Sequence, residues 1–424
     1  MRDRHRKAMV AKTYRRVLAS SFRGGGLKLD ASFIEVSPEP PDYSEWIPSR
    51  KREFQPISLK AEGGRRKHPS AFRLLHTSPC LLAYYGHKHS GGLPVRILIT
   101  GGAGFIGSYL AEAYLKRGDE VYVIDDLSTG NLDNIKPLMD NHKFHFVNDT
   151  VLNRLAMLEL TGICEVVAHL AAAVGVRLII DDPLKSLHTN IVGTEIVLDL
   201  ANKFRKKVFL ASTSEVYGRN SKVPLNEEDN RIYGSTTVAR WSYASSKALD
   251  EFLGLAYWKI KRLPVTVARF FNTVGPRQTG RYGMVIPRFV GQALRNEPIT
   301  VYGDGTQTRN FTYVGDVVRC VMALIDEPRA VGEIFNIGGE GEISINDLAG
   351  RVKQLTGSAS PITHIPYESA YQEGFEDMER RVPDITKVRN LVDYRNTHTL
   401  DDILHKVIEY ERTRCELSSQ RVAN

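Results

Sequence analysis

The stretch that decides the fold is Val95–Gly107, V-R-I-L-I-T-G-G-A-G-F-I-G. Its apolar run, Val95–Ile99, has the length and β-branched content of a buried parallel strand. The run leads directly into Gly101, Gly104 and Gly107, spaced G-x-x-G-x-x-G. Phe105, Ile106, Tyr109, Leu110 and Leu115 then predict the buried face of a helix. Glycine at such a junction permits a sharp turn, lets a pyrophosphate approach bare backbone and lets the helix pack closely on the strand. The helix start adds free N–H groups and the positive end of its dipole, which suit an anion.

A glycine triplet alone is weak, since ordinary strand-turn-helix units are also rich in glycine. The sequence that follows strengthens it. A second apolar run, Val121–Ile124, ends in Asp125, where a carboxylate would hydrogen-bond an adenosine ribose hydroxyl and repel a 2′-phosphate. The expected cofactor is therefore NAD rather than NADP.

Working outward, Phe144–Val147 and Glu165–Leu170 read as further strands. Their carboxyl ends place Asp149, Thr150, Leu170 and Ala171 where a doubly wound sheet binds its cofactor, with Phe105 and Ile106 at the helix start. A helical pattern over Asn190–Phe204 precedes the strand Val208–Ala211, and another over Tyr243–Lys259 precedes Val265–Phe271. This alternation predicts an α/β fold, a Rossmann-type doubly wound parallel sheet over residues 95–271. Beyond residue 272 glycine and proline break the rhythm. Shorter helices are expected at Pro287–Arg295, Val314–Ile325 and Ile345–Leu355, within a smaller substrate domain over 272–412. Residues 413–424 read as a tail.

Composition bounds the rest. Residues 1–94 carry 18 Lys/Arg against 8 Asp/Glu, whereas the remainder is slightly acidic, so the net charge of +8 belongs to the extension. That distribution argues against nucleic-acid binding by the folded part. The extension lacks a sustained apolar period and reads as disordered. Its Arg-rich start, Met1–Gly26, also fits an organelle-targeting peptide, a reading that the acidic, proline-rich continuation disfavours. No apolar run is long enough to cross a membrane. Cys80, Cys164, Cys320 and Cys415 lie far apart, which fits a reducing compartment and offers no metal site. A cytoplasmic homodimer is expected.

The candidate chemistry sits past the cofactor motif. Tyr243 and Lys247, four apart on a predicted helix, face one side. A neighbouring ammonium and an oxidised nicotinamide both favour phenolate, so Tyr243 is a candidate base and Lys247 its electrostatic partner. Y-x-x-x-K is weak alone and gains weight from its place after a dinucleotide motif. Thr213, Ser214 and Glu215 follow directly on a strand, where a hydroxyl can bond a sugar oxygen undergoing oxidation. Turn capping by Thr213 or Ser214 and simple exposure of Glu215 remain open.

Taken in order, T-G-x-x-G-x-x-G, S-T-S-E-V-Y-G, Y-x-x-x-K, F-N-x-x-G-P-R and V-Y-G-D-G-x-x-x-R make residues 95–412 resemble the NAD-dependent epimerase/dehydratase family, extended short-chain dehydrogenases acting on nucleotide sugars. The resemblance implies that Tyr243, helped by Thr213, deprotonates a sugar 4-OH while NAD⁺ accepts the C4 hydride. It implies that Asn272 binds substrate, that Arg309 clamps the diphosphate and that the substrate is a UDP-sugar or another NDP-sugar. Turn capping by Asn272 and pairing of Arg309 with Asp304 are the alternatives for those two residues. Three fates are then open to the 4-keto sugar: epimerisation, loss of water or loss of CO₂.

The motifs divide between these fates. Thr213-Ser214-Glu215 lacks the Asp of glucose 4,6-dehydratases and resembles UDP-glucuronate decarboxylases, as does Arg381 ahead of Pro383-Asp384-Ile385. Against that, Tyr243–Lys247 is not the decarboxylases' Y-D-E-G-K, and Leu170–Val176 differs from their proline-rich loop. The expectation is a UDP-hexose (glucose or glucuronate) 4-epimerase, with a UDP-glucuronate decarboxylase as the alternative. A 4,6-dehydratase and a non-catalytic NAD-binding protein follow behind.

Overall fold

The computed structural model describes residues 94–174, 182–280, 284–366, 378 and 380–423. Apart from Pro94, the basic extension lies outside them.

The first part of the chain alternates as expected: β1 (Arg96–Thr100), α1 (Phe105–Arg117), β2 (Glu120–Ile124), β3 (Phe144–Val147), α2 (Arg154–Ile163), β4 (Val166–His169), α3 (Pro183–Phe204), β5 (Lys207–Thr213), α4 (Arg240–Ala256) and β6 (Val265–Phe270). Then come β7 (Thr273–Val274), α5 (Val285–Leu294), β8 (Ile299–Tyr302), β9 (Thr308–Arg309), β10 (Thr312–Tyr313), α6 (Val314–Asp326), β11 (Ile334–Ile337), β12 (Ile343–Ser344), α7 (Ile345–Thr356), β13 (Ile362–Ile365), α8 (Thr386–Val392) and α9 (Leu400–Ala423).

Seven strands form one parallel sheet in the order β11-β6-β5-β4-β1-β2-β3. After β3 the chain returns to the other side of β1 to place β4. The strand order therefore reverses at β1, and that switch opens a crevice at the carboxyl ends. Both faces of the sheet are covered. Ile97, Ile99, Val121 and Val123 pack with α1 and α6, while Leu98, Val167, Val208 and Val265 pack with α2 and α3. This two-sided burial explains why the strands read as unbroken apolar runs. A third cluster joins α5, β8, α7 and α9 through Phe289, Val301, Leu348 and Leu404.

Three expectations change. The buried face of α1 is Leu110, Ala111 and Tyr114, all inaccessible, while Phe105, Ile106, Tyr109 and Leu115 are only half-buried because they edge the crevice or the helix margin. Helix α3 starts about two turns before Asn190, because Asp182 caps it, accepting from Lys185 N, and Pro183 occupies the first helical position. The chain also does not divide cleanly at residue 272. β6 needs a neighbour on its open edge, and β11 returns to pair with it while α6 and α8 cover the same face as α1.

Candidate active site

The crevice holds a cavity of about 640 Å³. One end is built by the glycine turn. Gly101 has φ +70°, and a Cβ there would come within 2.8 Å of the Ala171 backbone. A Cβ at Gly107 would fall 2.3 Å from the Gly101 carbonyl oxygen, so α1 packs this closely on the turn only with glycine at 107. Gly104 precedes α1 with no side-chain cap, and Phe105 and Ile106 line the cavity beside it. A helix start uncapped and facing a cavity fits a pyrophosphate. Asp125 lies at the end of β2, 8% exposed, accepting from Ala103 N at 2.9 Å and Leu127 N at 2.8 Å. Burial pushes its pKa up, and those two N–H donors oppose the rise. Asp149, Thr150, Leu170 and Ala171 complete this wall.

The central wall is made by β5 and α4. Thr213, Ser214, Glu215, Tyr243 and Lys247 all line the cavity. Tyr243 is buried, with the Thr213 side chain next to it favouring the phenolate. Thr213 Oγ1 also accepts from Glu215 N at 3.2 Å, so it caps the turn and meets the tyrosine at once. Burial is the main cause holding the Tyr243 proton on, with Glu215 and Asp250 adding to it and Thr213 acting against it. Lys247 is equally buried, its Nζ donating to Asp250 Oδ2 at 2.7 Å.

The far wall carries the remaining expected residues. Asn272 Nδ2 donates to Asn310 O at 2.9 Å, which fixes the turn after β6, and the residue still lines the cavity. Arg309 is buried, with Nη1 donating to Thr308 O at 2.7 Å, while Asp304 accepts from Thr306. Arg381 is buried and places Nη1 3.5 Å from Glu215 Oε1. The structure thus brings every expected site residue to one cavity.

Comparison with known proteins agrees with this arrangement. The family model described as GDP-mannose 4,6 dehydratase matches residues 98–407. A UDP-N-acetyl-alpha-D-glucosaminuronate decarboxylase of Bacillus cytotoxicus is 44% identical over 75% of this chain and 98% of its own length. UDP-glucuronic acid decarboxylase 1 of Xenopus tropicalis is 38% identical over 76% of this chain and 73% of its own. Among solved structures, the Bacillus cereus UDP-glucuronic acid 4-epimerase, in complex with UDP-glucuronic acid and NAD, is 32% identical with a TM-score of 0.68, over 75% of this chain and 99% of the other.

The chain belongs to the NAD-dependent epimerase/dehydratase family. It is an NAD-dependent nucleotide-sugar enzyme, and the relatives favour the decarboxylase alternative over the 4-epimerase first expected. Among the described residues no helix is long and apolar enough to cross a membrane, and no cluster of metal-binding side chains occurs.

Sequence reading missed several residues that line or brace this cavity. Residues 413–423 are no separate tail: they continue α9, and Glu411 and Arg414, paired at 2.6 Å, line the cavity. Arg277, from F-N-T-V-G-P-R, reaches back to Glu112 at 2.7 Å and stacks on Tyr109, tying the turn after β7 to α1. Asp250 lies one helical turn past Lys247, a spacing that could have exposed it.

Proposed function

We propose that the enzyme is a UDP-uronate decarboxylase that binds NAD through Gly101–Gly107 and Asp125 and uses Tyr243 as its base. The observation that carries this is Arg381: a buried arginine beside Glu215 at the wall shared with Thr213 and Tyr243. A neutral hexose gives such a guanidinium only hydroxyl acceptors, whereas a C5 carboxylate gives it a charge-assisted pair.

When bound, NAD⁺ accepts hydride from C4 of the sugar and later returns it. The chain's own residues do the rest. Tyr243 as phenolate takes the O4 proton, with Thr213 between the phenol and the sugar and Lys247 favouring the anion. In the 4-keto acid that results, the bond from C5 to the carboxylate breaks. CO₂ leaves and the electron pair passes through C5 to O4, where the Tyr243 hydroxyl donates a hydrogen bond. C5 then takes a proton, with Glu215 and Ser214 as the polar groups at hand, and Tyr243 returns its proton to O4 when C4 is reduced. Arg309 and Asn272 hold the diphosphate end. Arg381 draws the carboxylate in, and its pairing with Glu215 limits its grip, since a tighter hold would stabilise the ground state and slow CO₂ loss.

The test is to incubate the protein with UDP-glucuronate and with UDP-N-acetylglucosaminuronate, following CO₂ and the sugar by proton NMR. A UDP-pentose or its 2-acetamido counterpart is expected. Uronates recovered only as C4 epimers, or interconversion of UDP-glucose and UDP-galactose without CO₂, would overturn the assignment.

Asp125→Ala should relax the preference for NAD⁺ over NADP⁺, measured as the ratio of their Kd values. Because its carboxylate also holds Ala103 and Leu127, the variant should lose about 1–3 kcal/mol of stability. Tighter NADP⁺ binding by the wild type would defeat the NAD assignment at this residue.

The active form we infer is a cytoplasmic homodimer. α3 and α4 pack side by side and leave Leu184, Leu249 and Phe252 exposed, an apolar set suited to a second copy. Light scattering of the purified protein checks the stoichiometry.

A further inference from the structure

A line of buried polar side chains runs beneath the cavity. Thr100, at the end of β1, accepts at Oγ1 from Ala171 N at 3.1 Å and lies 2.8 Å from His169 Nδ1. His169 Nε2 is 3.1 Å from Thr194 Oγ1 on α3. Burial pushes the Asp250 carboxyl up, while Lys247 and, after it, the Thr194 hydroxyl favour its anion. Asp250 Oδ2 accepts from Lys247 Nζ, while Oδ1 has no hydrogen-bond partner among the described residues. Thr100, His169, Thr194, Lys247 and Asp250 are each no more than 3% exposed.

Chemistry orders the donors in this line. A Thr194 hydroxyl turned to Asp250 presents its proton, because a carboxylate only accepts. Thr194 Oγ1 must then accept from His169 Nε2–H, which leaves Nδ1 to accept from the Thr100 hydroxyl. Burial, with the Lys247 charge adding to it, pushes His169 down to about 3, so the imidazole is neutral at ordinary pH and fits this single tautomer. In that tautomer both hydrogen bonds of the His169 ring run in the direction of Asp250. A buried anion held this way is costly to leave unpaired, and its counterion is Lys247.

We propose that Asp250 is a positioning residue for the reaction: in its buried ion pair, next to the end of the Thr100–His169–Thr194 line, it fixes the Lys247 ammonium beneath the cofactor pocket and offsets part of that charge at Tyr243, thereby setting the pH at which Tyr243 becomes a base. The proposal rests on the assignment of Tyr243 made above. The groups facing Tyr243 are Thr213 and Glu215 from β5 and its following turn, with Glu215 paired to Arg381, and Lys247 and Asp250 from its own helix. His169 on β4 faces Lys247 and is neutral. Glu251, the next residue of α4, is bound to Arg269 and Ser212. Asp250 opposes the phenolate, so removing its charge while leaving Lys247 in place favours phenolate.

The test uses the full chain with NAD⁺ bound. Tyrosinate is titrated by ultraviolet difference absorbance in wild type, Asp250→Asn and Asp250→Glu, each against the same protein carrying Tyr243→Phe. The Asn form should ionise Tyr243 about one pH unit lower than wild type, and the Glu form close to wild type. The acid limb of kcat against pH should move the same way. Ionisation of the Asn form at an unchanged or higher pH overturns the proposal. Should Asp250→Asn fail to fold by circular dichroism, Asp250→Ser carries the same reading. Unfolding of both neutral variants with the Glu form folded makes Asp250 a purely structural counterion and also overturns it. The titration needs no sugar, so it stands even if the decarboxylase assignment falls.

Discussion

Tyr243→Phe should lower kcat by about 10²–10⁴-fold, the range that a positioned proton-transfer group supplies. KM should change little, because the phenol's proton transfer is made at the transition state and the ring remains. Burial, Glu215 and Asp250 hold the proton on the cofactor-free tyrosine. The folded pKa is raised, and activity needs the deprotonated form, so the rate should rise with pH and fall as pH drops through that pKa. Bound NAD⁺ adds positive charge beside Lys247, which should bring the acid limb of the loaded enzyme below the tyrosine ionisation of the free protein. The variant should lose that limb along with its rate. Single-turnover absorbance of the cofactor on adding UDP-glucuronate reads the step directly. A variant that reduces its cofactor at the wild-type rate would remove Tyr243 from the role of base.

Much of this site was open to sequence reading because its parts are local. Val95–Gly107 contains a strand, a turn whose glycines are required by contacts of 2.3 and 2.8 Å, and a helix start, all within one short stretch. Tyr243 and Lys247 share a helix face by simple periodicity. What escaped depends on partners distant in sequence. β11 is only four residues long and becomes a strand by pairing with β6, which no local pattern announces. Arg414 reaches the cavity only because α9 docks against α5 and α7. Thr100, His169 and Thr194 come from three elements, and ordinary polar residues at strand ends and on helices gave no sign that they form one line. The choice between epimerase and decarboxylase was divided for a related reason. The sequence placed Glu215 and Arg381 far apart, and only the fold sets them 3.5 Å from each other.

Arg381→Ala should lower kcat/KM for UDP-uronates by about 10²-fold or more, since truncating one partner of a buried charge pair costs about 2–5 kcal/mol. The loss should divide between two causes. Without the guanidinium, the substrate carboxylate enters a site where Glu215 repels it, which raises KM. Glu215 is also left without its counter-charge beside Tyr243, which holds the tyrosine proton on more firmly and lowers kcat. Glu215→Gln removes that repulsion but also removes a group that can reprotonate C5, so kcat should fall while the KM for uronates stays near or below that of the wild type. In the double variant the repulsion is gone, and its loss should be smaller than the two single losses combined, a coupling that a double-mutant cycle reads. An epimerase predicts a different pattern. Its keto sugar must turn its other face to the reduced cofactor, no C5 proton is delivered, and Glu215→Gln would keep appreciable turnover while Arg381→Ala acted mainly on KM. CO₂ release measured across the four forms separates the two: strong kcat losses for both single variants place the pair at the decarboxylation step, and a Glu215→Gln enzyme that still converts UDP-glucuronate at the wild-type rate removes it from that step.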